Sequence, residues 1–392
     1  MISLTEARRI IAEKVLPRPA QRLALDEAGG LVLAEAVLAD EYYPSGDRAL
    51  MDGYVVRADA EPGTFRLAGE IPAGVLPEQE LGRGDCYRIF TDALLPPGGG
   101  RVVMQEEAVC RDALVSIGTF NPRLWVREKG SEAQPGQVLL PAGTVLGAAE
   151  MAVLAQIGMT RPLVIPAPTV HQIATGSELV DPGEVPGPGQ IRDTNSGLLR
   201  ALFSGAGVQT FSTQRVPDDP KKLVDAADCA ADLVILSGGA SVGDYDFGAR
   251  ALRELGYTIH FDKVNLRPGK PLTFATRGSQ AAFVVPGNPI SHFVCYHVAL
   301  QRAVETAAGR PCAWPLIWLD LAEGSALAPD PRETWWPART QVRGGQAVVT
   351  PLPWSTSGNT FALAGTNALV LVNQGSPAVG RALTLLLAPP AS

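Results

Sequence analysis

The sequence predicts a multidomain α/β protein built around a three-layer α/β domain with a mostly parallel sheet. The length of 392 residues exceeds what one hydrophobic core usually supports, so two to four domains are expected. Apolar strands and helical patterns alternate between about residues 169 and 308, as in a parallel sheet covered by helices on both faces. Short β-like runs between Gly and Pro turns dominate before and after that region.

Composition excludes several classes of protein. The chain is 46% hydrophobic and 19% charged, which is ordinary for a globular protein. A net charge of −7 argues against a general nucleic-acid or membrane-surface binder, since both need basic surface. The 5 cysteines are scattered without a Cys-x-x-Cys pair, which favours reduced thiols. With no basic leader and no long apolar segment, we expect a soluble cytoplasmic protein.

The first 166 residues are expected to hold two domains. Ser3 and Glu6 have the spacing of a capping box, so a short amphipathic helix is predicted before Pro17. Short β-like runs follow and predict a β-rich domain over residues 42–132. Residues 133–166 return to a mixed pattern with a helix over 148–157, and join residues 1–41 as an N-terminal α/β domain.

The α/β domain is predicted over residues 167–310, and a β-barrel-like domain over 315–392. The predicted strands and helices alternate as strand 169–174, helix 196–203, strand 208–216, helix 221–230, strand 233–236, helix 247–255, strands 257–261 and 283–285, and helix 289–308. After about Pro315 the sequence becomes β-like again, with apolar runs at 348–350 and 368–372.

The turn after the third predicted strand has the composition of a ligand site. Ligands in open α/β sheets collect at the carboxyl ends of strands, where small residues let backbone amides approach an anion. Asp244 and Asp246 follow and offer oxygen ligands to a divalent cation, although two acids that merely start the next helix explain them as well. The small residues predicted to form the cradle are Ser237, Gly238, Gly239, Ser241 and Gly243.

Other groups of the α/β domain point to the same edge. Thr175 and Glu178 follow a strand, whereas Asp193-Thr-Asn195 is explained equally by a helix cap. A rigid turn joins a strand to a helix between Pro286 and Pro289. Cations suited to an oxyanion surround a proline-stiffened loop, with solvated surface charge as the alternative; they are Lys263, Arg267 and Lys270.

The β-rich domain contains weaker candidates. Asp52 stands beside a glycine in Met51-Asp-Gly-Tyr54, and Thr91 precedes a Pro-Gly turn, which ordinary turn chemistry also explains. Arg127 and Glu132 flank Gly130, where a surface ion pair is an equal interpretation. The 4 histidines show no ligand spacing and are interpreted as structural.

Together these motifs resemble the molybdopterin molybdenumtransferase family, which includes the C-terminal enzyme domain of gephyrin. The order and spacing match over roughly residues 1–310. The motifs are Met51-Asp-Gly-Tyr54, Thr91 before Leu95-Pro-Pro97, Val102-Val-Met-Gln-Glu106, Thr175-Gly-Ser-Glu-Leu179, Asp193-Thr-Asn195, Ser237-Gly-Gly-Ala-Ser-Val-Gly243, Arg267-Pro-Gly-Lys-Pro271 and Pro286-Gly-Asn-Pro289.

The resemblance implies four domains, an elongated homodimer, and insertion of molybdate into adenylylated molybdopterin with release of AMP. The protein partners that the resemblance implies are the molybdopterin adenylyltransferase and the acceptor molybdoenzymes. In that family the site lies between the α/β domain of one subunit and the inserted domain of the other. By position, the family's catalytic residues fall on Asp52, Thr91, Glu132, Glu178, Asp218 and Asp246, and its binding residues on Arg127, Lys263, Arg267, Lys270, Pro286 and Pro289.

The resemblance gives these residues roles. Glu178, Asp244 and Asp246 would hold Mg²⁺ against the pyrophosphate of the adenylylated pterin. The cations would attract molybdate and phosphate, while Asp52 and Glu132 would orient water or transfer protons.

The chain departs from the family's pattern at several positions. Asp92 stands where a glycine is usual, and Glu132 where an aspartate is usual. Pro337 and the stretch Ser355-Thr-Ser-Gly-Asn359 replace expected C-terminal residues. The alternatives are therefore a non-catalytic or atypical molybdopterin-binding paralogue or scaffold, and a molybdopterin adenylyltransferase.

Overall fold

A computed structural model describes residues 1–238, 247–312 and 314–388. The chain forms two compact units: unit 1 consists of residues 1–34 and 163–392, and unit 2 of residues 35–162. The finer division into four domains stays a prediction. None of the helices in the described ranges is long and apolar enough to cross a membrane.

A six-stranded sheet forms the centre of unit 1. Its strand order is Phe211–Val216, Val170–Thr175, Leu233–Ser237, Gln280–Val285, Thr273–Arg277 and Thr258–Phe261. The first four strands pair in parallel, and the last two add to the sheet antiparallel. The predicted mostly parallel sheet is therefore confirmed, whereas Thr273–Arg277 is a strand that the sequence analysis did not predict.

Helices cover both faces of this sheet because its central strands have no polar face. Leu233 and Ile235 belong to one hydrophobic core, and Val234 and Leu236 to the other, as the two-residue period of a strand requires. Helices Leu4–Lys14, Asn195–Gly205, Pro289–Cys295 and Gln301–Ala307 contribute to the first core, and helices Pro220–Ala227 and Phe247–Glu254 to the second.

The N-terminal helix of unit 1 packs on the last helical segment of the α/β region. The Ser3 hydroxyl accepts a hydrogen bond from the Glu6 amide at 3.1 Å, as the capping pattern predicts. Arg8 donates from Nη1 to the Val298 carbonyl at 2.8 Å. That carbonyl lies in a π-helical turn, Tyr296–Leu300, which interrupts the single helix predicted over 289–308.

The C-terminal part of unit 1 is a closed β-barrel. Strand Glu333–Arg343 pairs with Gln346–Pro351, which pairs with Leu316–Leu321, then Arg381–Leu386, then Ala368–Val372, which returns to Glu333–Arg343. Closure removes the free edges of the sheet. The remaining strands of unit 1 are Gln21–Arg22, Val32–Leu33, Leu163–Ile165, Leu179–Val180, Ile191–Arg192, Leu266–Arg267, Ala326–Leu327 and Ala378–Val379, and its short 3₁₀ helices are Leu25–Glu27 and Thr360–Leu363.

Unit 2 contains a second six-stranded sheet. Its order is Gly99–Met104, Gly53–Arg57, Asp85–Ile89, Gly63–Ile71, Leu114–Ile117 and Ala108–Arg111. Tyr54 and Val56 belong to one core and Val55 to the other, so both faces are buried here too. The other elements of unit 2 are strands Val37–Leu38, Arg48–Ala49, Val126–Arg127 and Val138–Leu140, the 3₁₀ helix Gln105–Glu107 and the helix Ala148–Gln156.

Gly53 is the position of the unit 2 sheet where a side chain fits least. A Cβ atom there would lie 1.9 Å from the Val103 carbonyl oxygen of the neighbouring strand. We expect Gly53→Ala to push the strands apart and lower the local stability of Gly53–Arg57 by about 3 kcal/mol, measured by amide hydrogen exchange.

Gly63→Ala is the matched control, because the nearest heavy atom to a Cβ at Gly63 lies 3.9 Å away. Equal protection in the two variants would contradict the steric argument.

Candidate functional site

A cavity of about 1250 Å³ opens at the carboxyl ends of the parallel strands of unit 1. Thr175 and Glu178 follow one strand, Asp218 follows the edge strand, and Ser237 and Gly238 end the central strand. The turn over 286–289 contributes after the fourth strand. The sheet therefore brings these predicted residues together for the reason that the sequence pattern indicated: parallel strands end at one edge.

The other walls of the cavity come from later parts of unit 1. They contain residues of the predicted cationic loop, of the segment ahead of helix Asn195–Gly205, and of the barrel. The residues are Leu179, Pro186, Gln190, Ile191, Arg192, Asp193, Thr194, Asn195, Arg267, Pro268, Gly269, Lys270, Pro271, Arg332, Trp354, Ser355, Thr356, Ser357, Gly358, Thr360 and Phe361.

Gly238 lies where only a glycine fits. Its φ is +100°, and a Cβ atom would lie 2.7 Å from the Thr175 carbonyl oxygen. The Gly238 amide donates to the Val285 carbonyl at 3.1 Å and the Thr175 hydroxyl donates to the Ser237 carbonyl at 3.3 Å, so the turn is anchored to both neighbouring strands. The rest of the predicted cradle and its acids lie outside the described residues: Gly239, Ser241, Gly243, Asp244 and Asp246.

A buried histidine holds the Ser237 hydroxyl. The Ser237 Oγ and His292 Nε2 atoms lie 2.8 Å apart, and His292 Nδ1 lies 3.2 Å from the Asn288 carbonyl oxygen. Full burial lowers the pKa of His292 to about 4, so the imidazole is neutral at pH 7. A neutral ring that donates from Nδ1 to the carbonyl accepts the serine proton at Nε2. His292 is thus structural, as interpreted, but it supports the floor of the cavity.

Two carboxylates line the cavity at its exposed side. The Asp218 carboxylate accepts from the Ser177 amide at 3.2 Å, and the Ser177 hydroxyl accepts from the Asp218 amide at 3.3 Å. The Glu178 side chain is exposed, and the Glu178 carbonyl accepts from the Ile191 amide at 2.9 Å. Oxygen donors of this kind fit Mg²⁺. Within the described ranges no group of three or more Asp, Glu, His or Cys side chains is placed to hold a metal ion.

The predicted cations are placed differently from one another. Arg267 lines the cavity, pairs with Asp330 at 2.5 Å and lies 5.2 Å from the Trp354 ring centroid. Lys270 is exposed in the lining. Lys263 is exposed as well but does not line the cavity; its carbonyl accepts from the Ile2 amide at 3.1 Å. Of the three cations, only Arg267 and Lys270 face this site.

Hydrogen bonds from neighbouring segments hold the rigid turn over 286–289 in position. Asn195 donates from Nδ2 to the Gly287 carbonyl at 2.7 Å. The Asp193 carboxylate accepts from the Ser196 amide at 3.0 Å, so the helix-cap interpretation holds for that residue. The Ile290 amide donates to the Ser357 carbonyl at 3.1 Å, which ties the turn to the barrel.

Sequence reasoning missed part of the barrel wall. Arg332, Trp354 and Phe361 line the cavity, and the Phe361 side chain is 92% exposed. Their sequence contexts carry no binding motif, and the segment over 355–359 drew notice only as a departure. The sequence alone does not reveal that this exposed aromatic residue lies beside the cavity, because the folded barrel brings it there.

In unit 2, Asp52 and Thr91 form one hydrogen-bonded pair. One carboxylate oxygen of Asp52 accepts from both the Thr91 amide and the Thr91 hydroxyl, each at 2.7 Å. The amide and then the hydroxyl hydrogen bond hold the pKa of Asp52 below its ordinary value. Asp52 is therefore a carboxylate at neutral pH.

Arg127 lies in a second cluster next to this pair. Its guanidinium pairs with Asp92 and, at 3.0 Å, with Glu132. Arg48 donates to the Asp92 carbonyl at 2.7 Å and lies 3.5 Å from its carboxylate. Arg127 and Glu132 therefore form the ion pair that was one interpretation of their sequence positions. Asp92 belongs to the same cluster, although the sequence analysis noted it only as a departure from the family's pattern.

Three family profiles match the chain in sequence order. They are described as "MoeA N-terminal region (domain I and II)" over residues 2–158, "Probable molybdopterin binding domain" over 172–306, and "MoeA C-terminal region (domain IV)" over 321–383. A molybdopterin molybdenumtransferase from Nostoc sp. is 37% identical over 364 residues, covering 89% of this chain and 84% of the relative. The chain belongs to the molybdopterin molybdenumtransferase family.

Other members of this family match over nearly their full length. A molybdopterin molybdenumtransferase from Staphylococcus aureus (strain N315) is 30% identical over 387 residues, covering 96% of this chain and 92% of the relative. The molybdopterin biosynthesis MoeA protein from Pyrococcus horikoshii OT3 shares the fold, with a TM-score of 0.79, 24% identity and coverage of 98% and 100%. The predicted family resemblance is confirmed.

The buried His292 gives the fold a dependence on pH. Its pKa is about 4 in the folded protein and about 6.5 when unfolded, so below pH 6.5 only the unfolded chain gains its proton. We expect His292 to remove about 3 kcal/mol of the free energy of unfolding between pH 6.5 and 4. Denaturant unfolding at several pH values should show a shallower loss in His292→Gln.

His171→Gln is the comparison variant. Burial lowers the pKa of His171 as well, but the His171 side chain is less buried than that of His292. Identical pH dependence in wild type and His292→Gln would refute the assignment of a neutral buried imidazole.

Proposed function

We propose that this chain inserts molybdate into adenylylated molybdopterin, with hydrolysis of the adenylate and release of AMP. The observation that carries the proposal is the cavity of unit 1, which Glu178 and Asp218 line together with Arg267 and Lys270. A site with both signs of charge suits a substrate that contains anionic phosphates and is cleaved by water. Relatives that carry the name of this transferase match along most of their length.

The anionic parts of the substrates are assigned to the turn and the cationic loop. In the proposal the Gly238 turn receives the phosphates, because a glycine there lets the backbone approach a ligand closely. Lys270 and Arg267 attract molybdate and the pterin phosphate. The outer residues of the cradle, Gly239, Ser241 and Gly243, are proposed to extend the same surface.

The predicted Mg²⁺ would be held by Glu178 together with Asp244 and Asp246. Bound there, it would neutralise negative charge on the pyrophosphate. Asp218 has a different role in the proposal: its contacts with Ser177 fix the loop that carries Glu178. The oxygen chemistry of Glu178 supports a hard cation, and the metal itself is part of the proposal.

The residues of unit 2 are assigned to proton transfer and orientation. Because Asp52 is ionised at neutral pH, it accepts a proton or orients water rather than donating a proton. Thr91 holds the carboxylate in place. Glu132 shares the Arg127 guanidinium, which limits its motion.

The remaining parts of the proposal concern the protein's surroundings. We propose a cytoplasmic homodimer that receives its pterin substrate from a molybdopterin adenylyltransferase and passes the product to acceptor molybdoenzymes. The family name implies molybdopterin and molybdate as substrates, which supports these partners. Neither nucleic acid nor membrane is proposed as a partner.

Glu178→Gln tests the chemistry of the cavity. The substitution removes the charge and keeps the shape, so we expect molybdate-dependent AMP release to fall ~100-fold or more while the melting temperature stays the same. Release is followed chromatographically with adenylylated molybdopterin, molybdate and Mg²⁺.

Glu184→Gln is the matched control, because Glu184 is exposed on the loop that follows strand Leu179–Val180 and does not line the cavity. Full activity of Glu178→Gln would contradict the role of Glu178. Binding of the pterin by wild-type protein without molybdate-dependent AMP release would instead favour the scaffold, and synthesis of the adenylate from ATP would favour the adenylyltransferase.

A further inference from the structure

Two arginines face each other across a short ladder in unit 2. Strand Arg48–Ala49 pairs antiparallel with Val126–Arg127, and the register sets Arg48 directly opposite Arg127. Like charges at directly opposed positions of a ladder repel each other. An anion beside the two guanidinium groups offsets this repulsion.

Asp92 supplies that anion from within the chain. One carboxylate oxygen pairs with Arg127, and the other lies 3.5 Å from Arg48 Nη1. The Asp92 carbonyl also accepts from Arg48, at 2.7 Å. Both arginines are thus bridged by one residue, much as a single oxyanion bridges two guanidinium groups.

The backbone of Asp92 is held in a conformation that side chains rarely adopt. Its φ is +69°, in the left-handed region that favours glycine, and costs of this kind are of order 1 kcal/mol. Hydrogen bonds fix the turn on both sides, from the Asp92 amide to the Ala49 carbonyl at 2.8 Å and from the Thr91 amide to Asp52 at 2.7 Å. The turn therefore aims the carboxylate at the arginines.

The bridge is open to solvent. The Asp92 side chain is 56% exposed, against 31% for Arg127 and 25% for Arg48. The Arg127 Nε atom is buried and has no hydrogen-bond partner within the part of the chain that the structure describes. An exposed carboxylate over two half-buried guanidinium groups is a contact that an external anion competes for.

We propose that Arg48 and Arg127 form an oxyanion site and that Asp92 is its built-in occupant, which weakens the binding of a tetrahedral dianion such as molybdate. The inference rests on the proposed function for the identity of the anion. Arg48 thereby becomes a binding residue that the sequence analysis did not identify, and Asp92 lowers the affinity of the site. Glu132 pairs with Arg127 alone, at 3.0 Å, and is unchanged in the variants that test Asp92. The incoming dianion displaces the carboxylate from the guanidinium groups, and no covalent bond changes.

Asp92→Asn isolates the charge, because asparagine tolerates the left-handed conformation as aspartate does. We expect this variant to bind molybdate alone about threefold more tightly at low salt, measured by isothermal titration calorimetry, since an exposed ion pair contributes at most about fivefold. High salt should reduce the difference. Asp92→Gly, which also relaxes the backbone, should give the same gain and guards against misfolding of the first variant.

Asp112→Asn is the matched control. Asp112 has a φ of +49° and is exposed in the same unit, so the substitution changes the net charge and the backbone context in the same way. Its molybdate affinity should equal that of wild type. In an Arg127→Gln background, Asp92→Asn should give no gain.

Unchanged affinity in both Asp92 variants, or an equal gain in Asp112→Asn, would overturn the inference. A gain that persists in the Arg127→Gln background would overturn it too. These titrations use molybdate alone, so they are independent of turnover. Tighter binding in Asp92→Asn with no molybdate-dependent AMP release from wild type would refute the proposed function and leave the oxyanion site intact.

Discussion

A strand in the middle of a parallel sheet has no face that water can reach, and strand Leu233–Ser237 is in this position. It pairs in parallel with a neighbour on each side, and its residues point alternately into two hydrophobic cores. The helices must therefore cover both sides of the sheet. Because parallel pairing also ends the strands at one edge, the backbone can leave the sheet only there, and the cavity of unit 1 forms at that edge.

Burial separates two kinds of polar group at the site. At the floor, Ser237 is almost fully buried and is satisfied by His292, which burial keeps neutral. At the rim, the side chains of Glu178, Asp218 and Lys270 are exposed to water. Charge is expensive in the interior and inexpensive at the mouth of a cavity. The floor therefore stays uncharged, while the rim presents acidic and basic side chains to the solvent.

The sequence predicted what depends on local pattern. Apolar runs located most strands of the α/β sheet, and small residues located the turn at Gly238. Lys263 shows where this reasoning ends. Lys263 and Lys270 lie at nearly the same distance in sequence from Arg267, on opposite sides of it. In the folded loop the Val264 amide donates to the Lys270 carbonyl, and of the two lysines only Lys270 lines the cavity. Trp354 could not be predicted, because the barrel reaches the site through long-range contacts that leave no periodic signal in the sequence.

The order in which the chain is synthesised gives the two units different folding conditions. Unit 2 is continuous in sequence, so all of its strands are available together once about residue 162 has left the ribosome. Helix Leu4–Lys14 is made first, yet Val298, which accepts the hydrogen bond from Arg8, is made 290 residues later. The carbonyl that accepts from Arg8 therefore becomes available only after the whole intervening chain has been made.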